Sequence, residues 1–169
     1  MELEGFKRAI EERRLGPWHV FMASFLAGLH SMGLLNQAVV TVAARRAGAQ
    51  VALYVRVKEE LPPLEGDLPQ RVKALLEYLQ QLMPMAEGIH VEVAGRRAEV
   101  LINRQRCKFC PKGVGEAELE GTLCPYPALL EAFLNALLEG AEVKLQLAGR
   151  YPLAKEGDDC KIVLELQGD

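Results

Sequence analysis

At 169 residues, half hydrophobic and a quarter charged, the chain is long enough for one buried core and too apolar for a disordered segment. The formal net charge is −3 and no basic stripe dominates, which argues against nucleic acid as the main partner. Asn, Ser and Thr are scarce beside Leu, Glu, Ala and Arg, a bias found in thermophile proteins.

Residues 1–14 are charged and predict a short polar helix. They lack the apolar run and small-residue cleavage site of a secretory signal, so the expected setting is the cytoplasm. Gly16-Pro17 breaks the chain, and Pro17 suits the first turn of a helix. Residues 18–44 reach the length of a membrane span, but His19, His30, Ser31, Asn36 and Gln37 recur inside them. Two buried helices are therefore predicted. In the first, Val20, Phe21, Phe25 and Leu29 recur at helical spacing with Met22, Leu26 and Met32 beside them, apolar nearly all round. The second covers 34–47, with Gly48 as its stop.

Val51, Leu53, Val55 and Val57 alternate with Ala52, Tyr54 and Arg56, so a strand and a continued helix are both open here. A Pro-rich, acidic loop follows over 61–69. Residues 70–83 predict an amphipathic helix with Val72, Leu75, Leu76, Leu79 and Leu82 inward, ended by Pro84. Ile89, Val91 and Val93, a turn at Gly95, and Ala98, Val100 and Ile102 predict a hairpin, with His90 facing solvent. A helix over 125–139 and strands over 143–147 and 162–166 complete the pattern. Helices first and antiparallel strands later make the class α+β. The N-terminal helices should pack on a mainly antiparallel sheet, with one helix between the hairpin and the last two strands. The whole of 1–169 reads as one domain, helical to about 84, with the hairpin, cysteines and C-terminal strands beyond.

The cysteines carry the chemistry. Cys107 and Cys110 form a C-x-x-C pair, Cys124 follows a loop containing Gly113, Gly115 and Gly121, and Cys160 lies far downstream. These four are all the cysteines of the chain, and their expected role is one shared Zn2+ site. Arg104, Arg106, Lys108 and Lys112 flank the first pair and offset thiolate charge. Cys124 precedes a helix start, where the dipole favours a thiolate. Cys160 shares strand parity with Ile162 and Leu164 and so points inward. A redox pair, structural disulfides, buried free thiols and an iron–sulfur cluster remain alternatives.

Other features have plainer readings. Trp18, Phe21, Phe25 and His30 are candidate ligand-pocket residues, with core packing as the rival role. Glu116, Glu118 and Glu120 form an acidic run, most simply a solvated loop. Asp158 and Asp159 suit either a turn or support of a metal ligand. No Ser-His-Asp set, phosphate loop or dinucleotide glycine motif stands out.

Three features of the last third resemble the 4-vinyl-reductase-type domain of hydrocarbon-binding proteins, in the same superfamily as the TRAPP vesicle-tethering subunits. Cys124 leads into an apolar helix, a strand follows over 141–147, and Gly157-Asp158-Asp159-Cys160 opens the final strand. That last motif has one residue between Asp158 and Cys160 where the family has two. The resemblance implies an α+β fold, a homodimer and an apolar pocket for a hydrocarbon or lipid-like small molecule. Phenol-sensing relatives hold zinc with a further cysteine and a glutamate on the hairpin before the last cysteine. Residues 149–153 have neither, and Cys107 and Cys110 are the candidates to replace them. The resulting expectation is a binding or sensor domain with a structural zinc. A metal- or thiol-dependent enzyme, or an assembly subunit without a ligand, is the alternative.

Overall fold

The computed structural model describes residues 3–58, 61–111, 114–115 and 123–168. Lys112, Gly113, the acidic run at Glu116, Glu118 and Glu120, and Gly121 lie outside the described residues. The described chain runs α1 (Leu3–Arg13), α2 (Pro17–Ser31), α3 (Gln37–Lys58), α4 (Leu68–Leu82), β1 (Ile89–Ala94), β2 (Arg97–Asn103), α5 (Tyr126–Leu137), β3 (Ala141–Gln146), β4 (Ala154–Glu156) and β5 (Asp159–Gly168). This is the α+β arrangement that the order of periodicities predicts. The short β4 is an addition to it.

All pairings in the sheet are antiparallel, in the order β1-β2-β5-β3. The hairpin turns at Gly95, with Ile89 opposite Ile102 and Val93 opposite Ala98. β5 is central. One edge pairs with β2, which sets Ile102 beside Cys160. Its other edge is shared in succession by β4, opposite 159–161, and β3, opposite 163–168. Inward residues Ala98, Val100, Ile102, Val143, Ile162, Leu164 and Leu166 alternate with more exposed ones, the period-2 pattern of a half-buried sheet.

Helices cover one face in two layers. α4 lies against β1, β2 and β5 with Val72, Leu75, Leu76 and Leu79 inward. Its start is set by reciprocal capping: Asp67 accepts from the Gln70 amide and the Gln70 side chain accepts from the Asp67 amide, at 3.0 and 3.1 Å. α5 packs against β3, α4 and α3, and eight of its twelve residues are buried, which makes it the centre of the core. Asn135 clamps it to β3, donating to the Val143 carbonyl and accepting from the Val143 amide, both at 2.7 Å. Glu131 accepts from the Leu145 amide at 2.8 Å and pairs with Arg45 of α3 at 2.8 Å, so one carboxylate ties three elements together.

Two sequence expectations change here. Gly48 does not stop a helix, and no strand forms over 51–57; α3 runs through both. Val40, Ala44, Gly48, Ala52 and Val55 form one helical stripe against α5, and that packing decides between the two patterns. Second, α2 is not a buried helix. Among its described residues only Ala23 and Ala27 are buried, while Trp18, Phe21 and Phe25 are 77%, 55% and 51% exposed. α2 meets the rest of the described chain beside the cysteines, with His19 against Phe109, Ala23 against Gly115 and Ala27 against Leu123. No helix of the described residues is long and apolar enough to cross a membrane.

Candidate functional site: a four-cysteine cavity

Cys107 sits in the turn that follows β2. That turn is anchored from below by the 85–87 segment: Ala86 bridges Cys107, the Lys108 amide donates to the Met85 carbonyl at 2.9 Å, and the Glu87 amide donates to the Arg106 carbonyl at 3.1 Å. Lys108 pairs with Glu87 at 2.8 Å, although its side chain is nearly buried. That hydrogen bond is the main reason the Glu87 carboxyl lies below its ordinary range. Cys110 closes the C-x-x-C turn. Cys124 stands two residues before α5, and Cys160 near the start of β5 on the face of Ile162.

These three regions bring all four cysteines to the wall of one cavity of about 260 Å³. Ile102, Phe109, Leu123, Tyr126 and Leu153 make its apolar part; Arg13, Arg104 and Lys155 bring positive charge; no carboxylate among the described residues borders it. The four thiols are free in the structure. Burial pushes Cys107 up to about 11, with the neighbouring Cys110 adding to the shift. Cys124 and Cys160 are also raised, first by burial and then by the charge of the other sulfurs, Cys107 on Cys124 and Cys110 on Cys160. Opposing this, the amides of Phe109 and Cys110 hydrogen-bond to the Cys107 sulfur and that of Tyr126 to Cys124. Such donors favour thiolate over thiol. Among the described residues, no three histidine, cysteine or carboxylate side chains stand close enough together to hold one metal ion.

A polar and aromatic collar holds the turn. Arg13, at the end of α1, donates to the carbonyls of Cys110 and Cys107 at 3.1 and 3.5 Å. Tyr126 donates its phenol to the Met85 carbonyl at 3.1 Å, and burial holds it well above the usual phenol range. Phe109 stands edge-on to Tyr126 and to His19, with ring centroids 5.5 and 5.7 Å apart. His19 accepts from the Gly16 amide at 3.0 Å and so caps α2; burial, with the Lys108 charge, keeps its imidazole below the ordinary value. On the same helix, Ala23 backs onto Gly115 and Ala27 packs with Leu123.

The structure thus places the four cysteines on the wall of one cavity, while among the described residues no three of them form a group that could hold one ion. Trp18, Phe21, Phe25 and His30 do not line this cavity. Trp18 packs edge-on against Phe21, which stacks on Phe25, along the exposed side of α2. Of the flanking cations read from sequence, only Arg104 among the described residues borders the cavity. Arg13 and Lys155 take that position from far away in the chain, and no local sequence signal marks either. Asp158 serves the turn, its carbonyl accepting from the Arg104 amide at 2.9 Å, while Asp159 accepts from Asn103 at 3.4 Å.

A family model matches residues 33–166, most of the chain and every cysteine in it. The protein belongs to the MJ0207 family. Two relatives come from Methanocaldococcus jannaschii. The uncharacterised protein MJ1342 is 29% identical over 89 residues, 52% of this chain and 74% of its own. The uncharacterised protein MJ0207 is 29% identical over 68 residues, 40% of this chain. The chain spans 42% of the length of MJ0207. The MJ0207 family match begins at Gly33, so α1 and α2, with the Arg13 clamp, lie before it.

Proposed function

We propose that this protein is a binding domain organised around a thiolate-ligated metal centre held by Cys107, Cys110, Cys124 and Cys160. One observation carries the reading: three separated regions of chain deliver every cysteine to a single cavity wall. Buried thiols with no metal role have no need of that convergence, and none of the four is paired as a disulfide. The electrostatics support it. Backbone amides point at two of the sulfurs, and Arg13, Arg104 and Lys155 offset the charge that four thiolates accumulate. Four protein ligands close the coordination shell, which suits a structural centre better than a catalytic one. The apolar wall of Ile102, Phe109, Leu123 and Leu153 supports the wider reading, a small hydrocarbon or lipid-like ligand held beside the centre.

The test is elemental analysis of the full chain purified without chelators, with X-ray absorption at the edge of whatever metal is found. Sulfur-only ligation in wild type, lost in Cys160→Ser, is the expected result. A folded, metal-free protein from metal-replete medium, with four freely titratable thiols, overturns it. Native mass spectrometry of the same preparation checks the ligand: a co-purified apolar mass is expected, and its absence removes the wider reading alone.

A further inference from the structure

α2 carries two opposed apolar stripes. His19, Ala23 and Ala27 form the inner one, which meets Phe109, Gly115 and Leu123. Trp18, Phe21, Phe25 and Gly28 follow at helical spacing on the other side, and Met32 continues their line just past the helix end. The three aromatic side chains stay exposed and rest on one another in a row: Trp18 is edge-on to Phe21 at 5.7 Å, and Phe21 stacks on Phe25 at 6.0 Å. Gly28 faces open space. No Asp, Glu, Lys or Arg occurs between Arg14 and Arg45, so the helix has no formally charged side chain at all. The Ser31 hydroxyl is spent inside the helix, donating to the Gly28 carbonyl at 2.8 Å. We propose that this outer ridge of α2 docks on a lipid surface, with the helix lying in the bilayer interface. No cysteine takes part in the docking.

The size and chemistry of the ridge favour lipid over protein. At 150–250 Å² per aromatic side chain, the exposed parts of Trp18, Phe21 and Phe25 present roughly 300–450 Å². A stable dimer buries about 800 Å² on each partner, so this ridge is too small to hold a second copy by itself. A protein interface also surrounds its apolar centre with a polar, hydrogen-bonding rim, and α2 has no charged side chain with which to make one. A bilayer interface asks only for apolar bulk, and tryptophan suits it because its ring is apolar and its N–H can stay at the headgroups. The 15 residues of α2 rise about 22 Å, against about 30 Å of hydrocarbon, so the helix lies on the membrane and does not cross it. Phe109 and Leu123, which the inner stripe touches, are also wall residues of the cysteine cavity. Docking on α2 therefore sets that cavity roughly 10 Å, one helix diameter, from the lipid.

Trp18 is the chain's only tryptophan and reports directly on the ridge. The experiment adds phosphatidylcholine vesicles to the full chain and follows Trp18 emission, its quenching by iodide, and flotation of protein with the vesicles at low and high salt. The expected result is a blue shift, loss of iodide access and flotation that persists at high salt, because the attachment is apolar. Phe21→Ser and Phe25→Ser should each weaken binding by roughly 10- to 100-fold, with circular dichroism confirming that both variants fold. Leu147→Ser, which changes an exposed apolar residue outside α2, should bind as wild type. Unchanged emission with no flotation overturns the proposal. So does an emission that moves to the blue with protein concentration in the absence of lipid, which would mean that a second copy covers the ridge. Flotation that requires anionic lipid and is lost at high salt, or an equal loss in Leu147→Ser, places the attachment elsewhere and overturns it too.

Discussion

Gly48 of α3 and Leu129 of α5 meet backbone to backbone: a Cβ on Gly48 would stand 2.4 Å from the Leu129 carbonyl oxygen and 3.2 Å from the Ala132 Cβ. Backbone cannot move aside as a flexible side chain can. Gly48→Ala should therefore cost about 1–3 kcal/mol despite the higher helix propensity of alanine. Gly28, in α2, faces open space, so Gly28→Ala should be neutral or stabilising by up to about 1 kcal/mol. Urea denaturation of both variants checks the pair. A Gly48→Ala midpoint at or above that of wild type would refute the close approach.

The same glycine shows where sequence pattern runs out. As a local signal, Gly48 marks a helix stop, and the alternating Val51, Leu53, Val55 and Val57 leave strand and helix both open; only the neighbouring α5 turns Gly48 into a contact point inside one long helix. The sheet was legible because each strand faces the core on one side and so keeps period 2. α2 was misleading for the opposite reason: its residues are apolar nearly all round, but only the stripe of Ala23 and Ala27 is buried, so composition overstates its burial. That the four cysteines share one place in the fold was legible because they are all the thiols the chain has. Arg13 and Lys155 were not, since a surface cation in one element looks the same whether or not the fold brings it to a thiol cavity.

Asn135 is the next test. Val143 is buried, and both of its backbone polar groups are satisfied by this one side chain. Asn135→Ala leaves a buried donor and a buried acceptor together, which should cost about 1–3 kcal/mol. Asn135→Asp should also destabilise at neutral pH, because it keeps the acceptor for the amide but sets a carboxylate against the carbonyl. Thermal melts of the two variants decide it; wild-type stability in Asn135→Ala would show that the clamp contributes nothing net.

Trp18 is the chain's only tryptophan, and it is 77% exposed. Its fluorescence should resemble that of indole in water and be readily quenched by iodide. Trp18→Ala should leave metal content unchanged, since the residue does not border the cysteine cavity. A blue-shifted emission that depends on protein concentration would mean that the outer face of α2 is covered in solution.

The thiols predict opposite pH dependences for the metal-free and metal-bound protein. Without metal, burial holds the folded Cys107 thiol up to about 11, against an ordinary value of 9.0. The unfolded chain therefore releases this proton first as pH rises. Its contribution to stability is complete below pH 9 and is lost between about 9 and 11. A rise of that size corresponds to a loss on the order of 2–3 kcal/mol from Cys107, and Cys124 and Cys160, also raised, add to the same alkaline loss. Metal reverses the sign. Bound thiolates are already deprotonated, so the alkaline loss should disappear, while acid should now destabilise because protons compete with the metal for sulfur. Denaturant melts from about pH 5 to about pH 11 on chelator-treated and reconstituted protein give both profiles. Superimposable profiles would show that the cysteines do not carry the metal, and a metal-free profile flat between about pH 9 and 11 would show that Cys107 is not buried as a thiol.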